Sequence, residues 1–281
     1  MLIELAIGDA YGAGFEYAEP DFVFSENDLS RYLQHPRHQI RPGSYTDDTQ
    51  MSLAIAETLI EQQAWTREVL ANKFVAAFKR DPREGYASRF YQFLLRVQDG
   101  RQFLEEINWT SDKSGAAMRA GPIGVLPSVE RVIESATIQA AITHNSPDGI
   151  AAAVAAALMS HYFIYRLGSK GELGQFLETH VSGHQWSEPW IGKVKSQGWM
   201  SVRAAITAVM RNESLSELLK DCIAYTGDVD TVAAIALAAA SCSEEIEQDL
   251  PQHLVDTLEN GVYGRDYIIA LDKQLMSLVS T

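Results

Sequence analysis

Apolar positions recur at helical spacing along most of the chain: Met51, Ile55 and Leu59 with Leu53, Ala56 and Ile60; Leu70, Phe74 and Phe78; Leu215, Leu218, Leu219 and Cys222. Alternating period-two runs are scarce, so the pattern predicts an all-α protein. Boundary signals agree with it. Thr66 is placed as an N-cap, Ser214 and Glu217 form an S-x-x-E capping box, and Asn260-Gly261 reads as a C-terminal stop. Ile150 to Met159 and Thr231 to Cys242 are rich in alanine and apolar all round, which predicts two close-packed central helices. Periodicity fades over Glu16 to Tyr45, Asp81 to Gly115 and Gly183 to Met200, long segments expected to form a binding rim. With no fixed-period repeat and no low-complexity linker, residues 1–281 are expected to form a single domain.

Composition narrows the function classes. The 281 residues carry 37 acidic and 23 basic side chains, a net charge of −14, which argues against a general nucleic-acid or anionic-membrane binder. A specific anionic ligand would need something positive to receive it. Two cysteines, Cys222 and Cys242, point to a reducing compartment, and a cytoplasmic location is expected. Glu4 and Asp9 interrupt any signal-peptide pattern, and the most membrane-like run, Gly149 to Met159, is about half the ~20 residues a spanning helix needs.

Candidate chemistry concentrates in two clusters. Tyr45-Thr46-Asp47-Asp48-Thr49 precedes an amphipathic helix expected to begin near Gln50, and Gly227-Asp228-Val229-Asp230-Thr231 precedes the second alanine-rich helix. One such cluster is readily explained as ordinary helix capping by Asp and Thr. Two, both at core helix starts, suggest more. If the helix ends meet, four carboxylates crowd together and cannot all stay ionised without cations. A donor set of oxygens without His or Cys favours Mg²⁺ or Mn²⁺. About 180 residues separate the clusters, so local sequence does not establish that they converge.

The ordered motifs GDAYGAGFE (Gly8 to Glu16), YTDDTQ (Tyr45 to Gln50), SGAAMRAGPIG (Ser114 to Gly124), THNSPDGIAAA (Thr143 to Ala153) and TGDVDTVAAI (Thr226 to Ile235) together resemble the ADP-ribosylglycohydrolase family over about Gly8 to Ala240. The resemblance implies a compact orthogonal helical bundle with a cleft holding two divalent cations, Mg²⁺ or Mn²⁺. It also implies hydrolysis of the bond joining ADP-ribose to a protein side chain, arginine being the first expectation. The metal ligands it implies are Thr46, Asp47, Asp48, Asp228, Asp230 and Thr231, with Asp47, Asp48, Asp230 and Glu16 as the catalytic carboxylates. Glu16 would be a mobile group that orients water or substrate; its alternative is a plain surface glutamate. Ser114, Gly115, Ala116, Ala117, Met118 and Arg119 would approach the ribose and phosphates, and His144 would lie near the substrate. Apart from the resemblance, GAAM is equally a helix-packing run, Arg119 could face phosphate or pair with an acid, and His144 could be a cap residue.

Two departures bear on this reading. Asp112-Lys113-Ser114 stands where many relatives have an asparagine, adding negative charge unless Lys113 or a metal offsets it, and Val229 replaces a threonine, expected to point away from the metals. Gly8, Gly12 and Gly14 do not fit a dinucleotide fingerprint, and Gly168-Ser169-Lys170-Gly171 lacks the upstream part of a phosphate loop. Trp186, Trp190 and Trp199 with His184 are either a satellite apolar cluster or a stacking platform. The rival functions are hydrolysis of a small ADP-ribose derivative such as O-acetyl-ADP-ribose, and a non-catalytic binding or structural protein on the same scaffold.

Overall fold

Helix follows helix through the computed structural model, which describes residues 1–108 and 110–279. The α-helices are α1 (Leu2–Gly12), α2 (Pro20–Glu26), α3 (Asp47–Ile60), α4 (Arg67–Arg80), α5 (Ser88–Arg96), α6 (Gly100–Glu106) and α7 (Val129–Ala140), then α8 (Pro147–Ile164), α9 (Leu173–His180), α10 (Gly198–Arg211), α11 (Leu215–Ala224), α12 (Val229–Ala240), α13 (Gln252–Thr257) and α14 (Arg265–Met276). Among the described residues there is no strand, only isolated bridges between loops, so the all-α expectation holds.

The two alanine-rich segments are the centre of the molecule. Every residue of α12 is buried, and α8 is buried along most of its length. Small side chains let their neighbours come close. Against α12 lies α1, where a Cβ on Gly8 would sit 2.7 Å from the Ala233 carbonyl oxygen and one on Gly12 would overlap the backbone of Asp230. That approach brings Asp9 of α1 beside the N-termini of α3 and α12. With 18 residues and a mean hydropathy of 1.2, α8 is longer than the sequence suggested and could cross a membrane by length and composition. Its surroundings are protein, since 72% of it is buried against other helices such as α7, α10 and α12.

Some boundaries differ from expectation. Helix α3 starts at Asp47, so both carboxylates of the first cluster belong to its first turn. Two of the three segments without clear periodicity contain α2, α5 and α6, each of nine residues or fewer, too short to show a pattern, and the third runs into the start of α10. Thr66 Oγ1 accepts from the Val69 amide and Ser214 Oγ from the Glu217 amide, as predicted, the latter with no return bond from the Glu217 side chain among the described residues. Helix α13 ends at Thr257, ahead of Asn260-Gly261, and Asn260 instead exchanges hydrogen bonds with Asp266 in the first turn of α14. Trp186 is fully buried, His184 stacks on Trp199 at 4.9 Å, and Trp190 meets Trp199 edge-on, forming an apolar cluster that does not line the main cleft.

Candidate active site

The two sequence clusters converge. They form the floor of a cleft of about 560 Å³, within the usual range for a small-molecule site. Asp47 and Asp48 reach it from the start of α3, Asp228 and Asp230 from the start of α12, with Thr231 beside them and Glu16 entering from the loop after α1. Carboxylate oxygens of Glu16, Asp228 and Asp230 lie within 4.8 Å of one another. Gly227, at φ +94°, makes the tight turn that presents Asp228, and a side chain there would collide with the Val194 carbonyl.

Asp9 is the residue that sequence reasoning passed over. Fully buried, it accepts four hydrogen bonds from the start of α3: Thr46 amide (2.9 Å), Thr46 hydroxyl (2.7 Å), Thr49 amide (3.0 Å) and Thr49 hydroxyl (2.5 Å). A carboxylate on one helix thus caps another, fixing Thr46 and the direction in which Asp47 and Asp48 leave the helix. Its local signal was an acid between Gly8 and Ala10, on a helix whose other acid, Glu4, lies in the first turn. Ser201 plays a smaller part, its hydroxyl donating to Asp228 at 3.2 Å.

The electrostatics of the floor are unfavourable as they stand. Burial pushes Asp47, Asp48 and Asp230 well above the usual carboxylate range, and each is raised further by its acidic neighbours. Burial raises Asp228 less freely, because hydroxyls of Ser114, Thr231 and Ser201 oppose it. Glu16 is pushed up to about 7, by burial first and then by Asp228 and Asp9. Oδ1 of Asp48 and Oδ1 of Asp230 are buried with no hydrogen-bond partner. Orphaned hard-oxygen acceptors in an acidic cluster fit divalent cations of the Mg²⁺ or Mn²⁺ type.

Glu16 is held through its backbone. His35 Nδ1 accepts the amides of Arg37 and His38, both at 2.9 Å, so its Nε2–H donates to the Glu16 carbonyl at 2.7 Å. The Arg37 guanidinium donates to the next carbonyl, that of Tyr17, and the Tyr17 amide donates to Gly227 O at 2.8 Å. Glu16 is therefore tied to the second cluster and is no free surface glutamate.

The opposite wall comes from the 3₁₀ turn Ser114–Ala116, Met118 and Arg119, and from the connection between α7 and α8. Ser114, Gly115, Met118 and His144 line the cleft, whereas Ala116 is fully buried behind it and its carbonyl accepts from Gln139 Nε2. Arg119 borders the cleft yet is only 1% exposed. Its Nε donates to Gln139 Oε1 (2.7 Å), a terminal nitrogen donates to Thr143 Oγ1 (2.9 Å), and its guanidinium stands 4.4 Å from the Phe74 ring centroid. Of the two alternatives read from sequence, pairing with an acid is not what the structure shows, since Arg119 forms no ion pair among the described residues; it borders the cleft, with Nη1 outside these hydrogen bonds. His144 is not the cap of α8; Ser146 is, accepting from the Gly149 amide.

All three non-periodic segments reach the cleft: Glu16 and Tyr17 from the first, Ser196 from the third, and from the second an apolar flank with Phe90, Phe93 and Ile107. Asp112 pairs with Lys113 at 3.1 Å, so the extra charge at this rim is locally offset. Val229 is buried with the core and takes no part.

The sequence profile of the ADP-ribosylglycohydrolase family matches residues 1–281. The chain is similar to ADP-ribosylhydrolase ARH3 of Xenopus tropicalis, 27% identical with 88% of this chain and 87% of the relative covered. It is also similar to ADP-ribosyl-[dinitrogen reductase] glycohydrolase of Rhodospirillum rubrum, at 26% identity with 91% and 87% covered. ADP-ribosylarginine hydrolase Tri1 of Serratia proteamaculans (strain 568) is 23% identical over 83% of this chain and 67% of its own. Among solved structures, a chain of an ADP-ribosylglycohydrolase-related protein complex shares the fold with a TM-score of 0.73 at 20% identity, covering 99% of this chain and 96% of that one. With the whole chain matched, the protein belongs to the ADP-ribosylglycohydrolase family.

Proposed function

We propose that the protein hydrolyses the glycosidic bond between ADP-ribose and a protein side chain, arginine first, at this cleft with two divalent cations. The observation that carries the reading is the meeting of two helix-start carboxylate clusters, with orphaned oxygens on Asp48 and Asp230, on the floor of a cleft. Thr46, Asp47, Asp48, Asp228, Asp230 and Thr231 would hold the cations. Cations bound there would supply Lewis acidity toward water and ribose hydroxyls, and the positive charge a chain of −14 lacks.

Glu16, pushed up to about 7, suits proton transfer near neutral pH. As the C1–N bond breaks, its electron pair leaves with the nitrogen, turning a guanidinium into a neutral guanidine. Water adds to the carbon, Glu16 takes the water's proton, and the guanidine regains one. One relative bears the name ADP-ribosylarginine hydrolase, which supports arginine as the first acceptor to test. Ser114, Gly115, Met118 and His144 would contact the ADP-ribose, with Arg119 and Ala116 supporting them from behind. Cys222 and Cys242 are both free thiols, which supports a cytoplasmic setting.

The test is ADP-ribose release from an arginine-modified protein, a serine-modified protein and O-acetyl-ADP-ribose, each with Mg²⁺, with Mn²⁺ and with chelator. Metal-dependent release from the arginine substrate is expected. Release only from the small molecule would move the reading to a metabolite hydrolase, and tight ADP-ribose binding without turnover to a non-catalytic binder.

A further inference from the structure

The hydrogen bonds that Nε and one terminal nitrogen of Arg119 make to Gln139 and Thr143 set a direction. A guanidinium only donates, so Thr143 Oγ1, 2.9 Å from the Arg119 terminal nitrogen, is the acceptor there. The Thr143 hydroxyl therefore has its own proton to give, and the group 2.7 Å away is His144 Nδ1. With that proton donated in a hydrogen bond to Nδ1, Nδ1 is the bare nitrogen and the ring proton sits on Nε2.

No protein acceptor among the described residues takes that second nitrogen, although His144 is only 8% exposed. Nε2 lies on the Gly115 side of the cleft, where a Cβ on residue 115 would come within 3.2 Å of it. Gly115 keeps the space in front of the ring open.

We propose that Arg119 and Thr143 are positioning residues that lock His144 as the Nε2–H tautomer, giving the cleft a neutral hydrogen-bond donor of fixed direction for an oxygen of the bound ligand. The role rests on the functional reading only for the identity of that ligand, an oxygen-rich sugar diphosphate. Neutrality has independent support: burial, with the Arg119 charge added, pushes the His144 imidazolium down to about 3. The arrangement also explains why a buried arginine stands beneath an acidic site without pairing to a carboxylate. Its charge keeps a proton off the ring, and its N–H orders the relay.

The experiment is nitrogen-15 NMR of the full chain labelled at histidine, with the His144 signals assigned by their loss in His144→Gln. Expected are a non-protonated Nδ1 and a protonated Nε2, unchanged between pH 5 and pH 8. An Nδ1–H tautomer or a charged ring in that range would overturn the relay. Thr143→Val, close to isosteric, is expected to mix the tautomers and weaken ADP-ribose binding about ten-fold, with Thr143→Ser restoring both. A Thr143→Val protein with unchanged spectrum and affinity would also overturn it. Should ADP-ribose fail to bind the wild-type protein, the functional reading falls, and the spectrum of the free protein still decides the relay.

Discussion

The floor and the wall of the cleft solve opposite problems. On the floor, α3 and α12 bring carboxylates together with buried oxygens left over, a repulsion that bound cations would relieve. On the wall, Arg119 is hydrogen-bonded to Gln139 and Thr143, and the polar group left over among the described residues, His144 Nε2, belongs to a ring already held by Thr143. An unsatisfied surface can capture ions, whereas a satisfied one can orient a ligand without rearranging. One cleft needs both, which accounts for the rigid alanine-rich helices under the floor and the hydrogen-bonded loops that build the wall.

Protons should tell the two apart most clearly. His144 is pushed from 6.5 down to about 3, so the unfolded chain binds its proton first. The stability this group contributes is present above pH 6.5 and is lost as pH falls toward 3, up to about 5 kcal/mol. Glu16 has the reverse sign. Raised from 4.5 to about 7, it contributes stability below pH 4.5 that disappears as pH rises through 7, about 3 kcal/mol, and Asp47, Asp48 and Asp230 act in the same direction. In metal-free protein the two slopes oppose one another between pH 4.5 and 6.5. Thermal unfolding across that window should show Tm rising with pH more steeply in Glu16→Gln, and falling more steeply in His144→Gln, than in the parent. Parallel curves for all three proteins would erase the distinction.

Relief of the floor's repulsion by mutation gives the next effect. Asp230→Asn is expected to lower metal-dependent ADP-ribose release on the order of 10³-fold, about 4 kcal/mol of barrier. The same change should raise the Tm of the metal-free protein and abolish the increase that Mg²⁺ or Mn²⁺ produces. A variant with full turnover would remove Asp230 from the ligand set. Asp9→Asn should act one step back, turning an NH₂ toward groups that themselves donate, Thr46 and Thr49. A 10- to 100-fold loss of metal affinity, in line with roughly what outer-sphere partners contribute, is expected by calorimetric titration. Unchanged affinity would mean that the cap positions nothing.

The same contrast explains what the sequence disclosed. The floor was legible because its acids sit in short runs at the heads of two buried helices, amphipathic α3 and alanine-rich α12, where local spacing carries the signal. Their convergence was not, because it depends on Gly8 and Gly12 letting α1 close on α12. Asp9 was hidden for the same reason, its partners lying some 40 residues away. The wall was harder to read. Arg119 as a letter gives no sign that Gln139, Thr143 and Phe74 will surround it, and α5 and α6 are too short to outweigh the irregular segment around them.

The smallest test concerns the rim, where Asp112 departs from many relatives. Lys113 and Asp112 are 50% and 41% exposed, so their 3.1 Å pair contributes little to folding, at most about 1 kcal/mol. Its weight should appear in binding. Lys113→Ala leaves Asp112 uncompensated beside the cleft, and a diphosphate arriving there would meet a like charge. ADP-ribose affinity is expected to drop a few-fold at low ionic strength and to recover as salt screens the exposed carboxylate over a distance of about 10 Å at 0.1 M. Asp112→Asn in the same background should restore the affinity without salt, because it removes the charge that Lys113 had balanced. A loss indifferent to salt and to Asp112→Asn would instead assign Lys113 a direct contact with the ligand, moving it from the rim to the working wall.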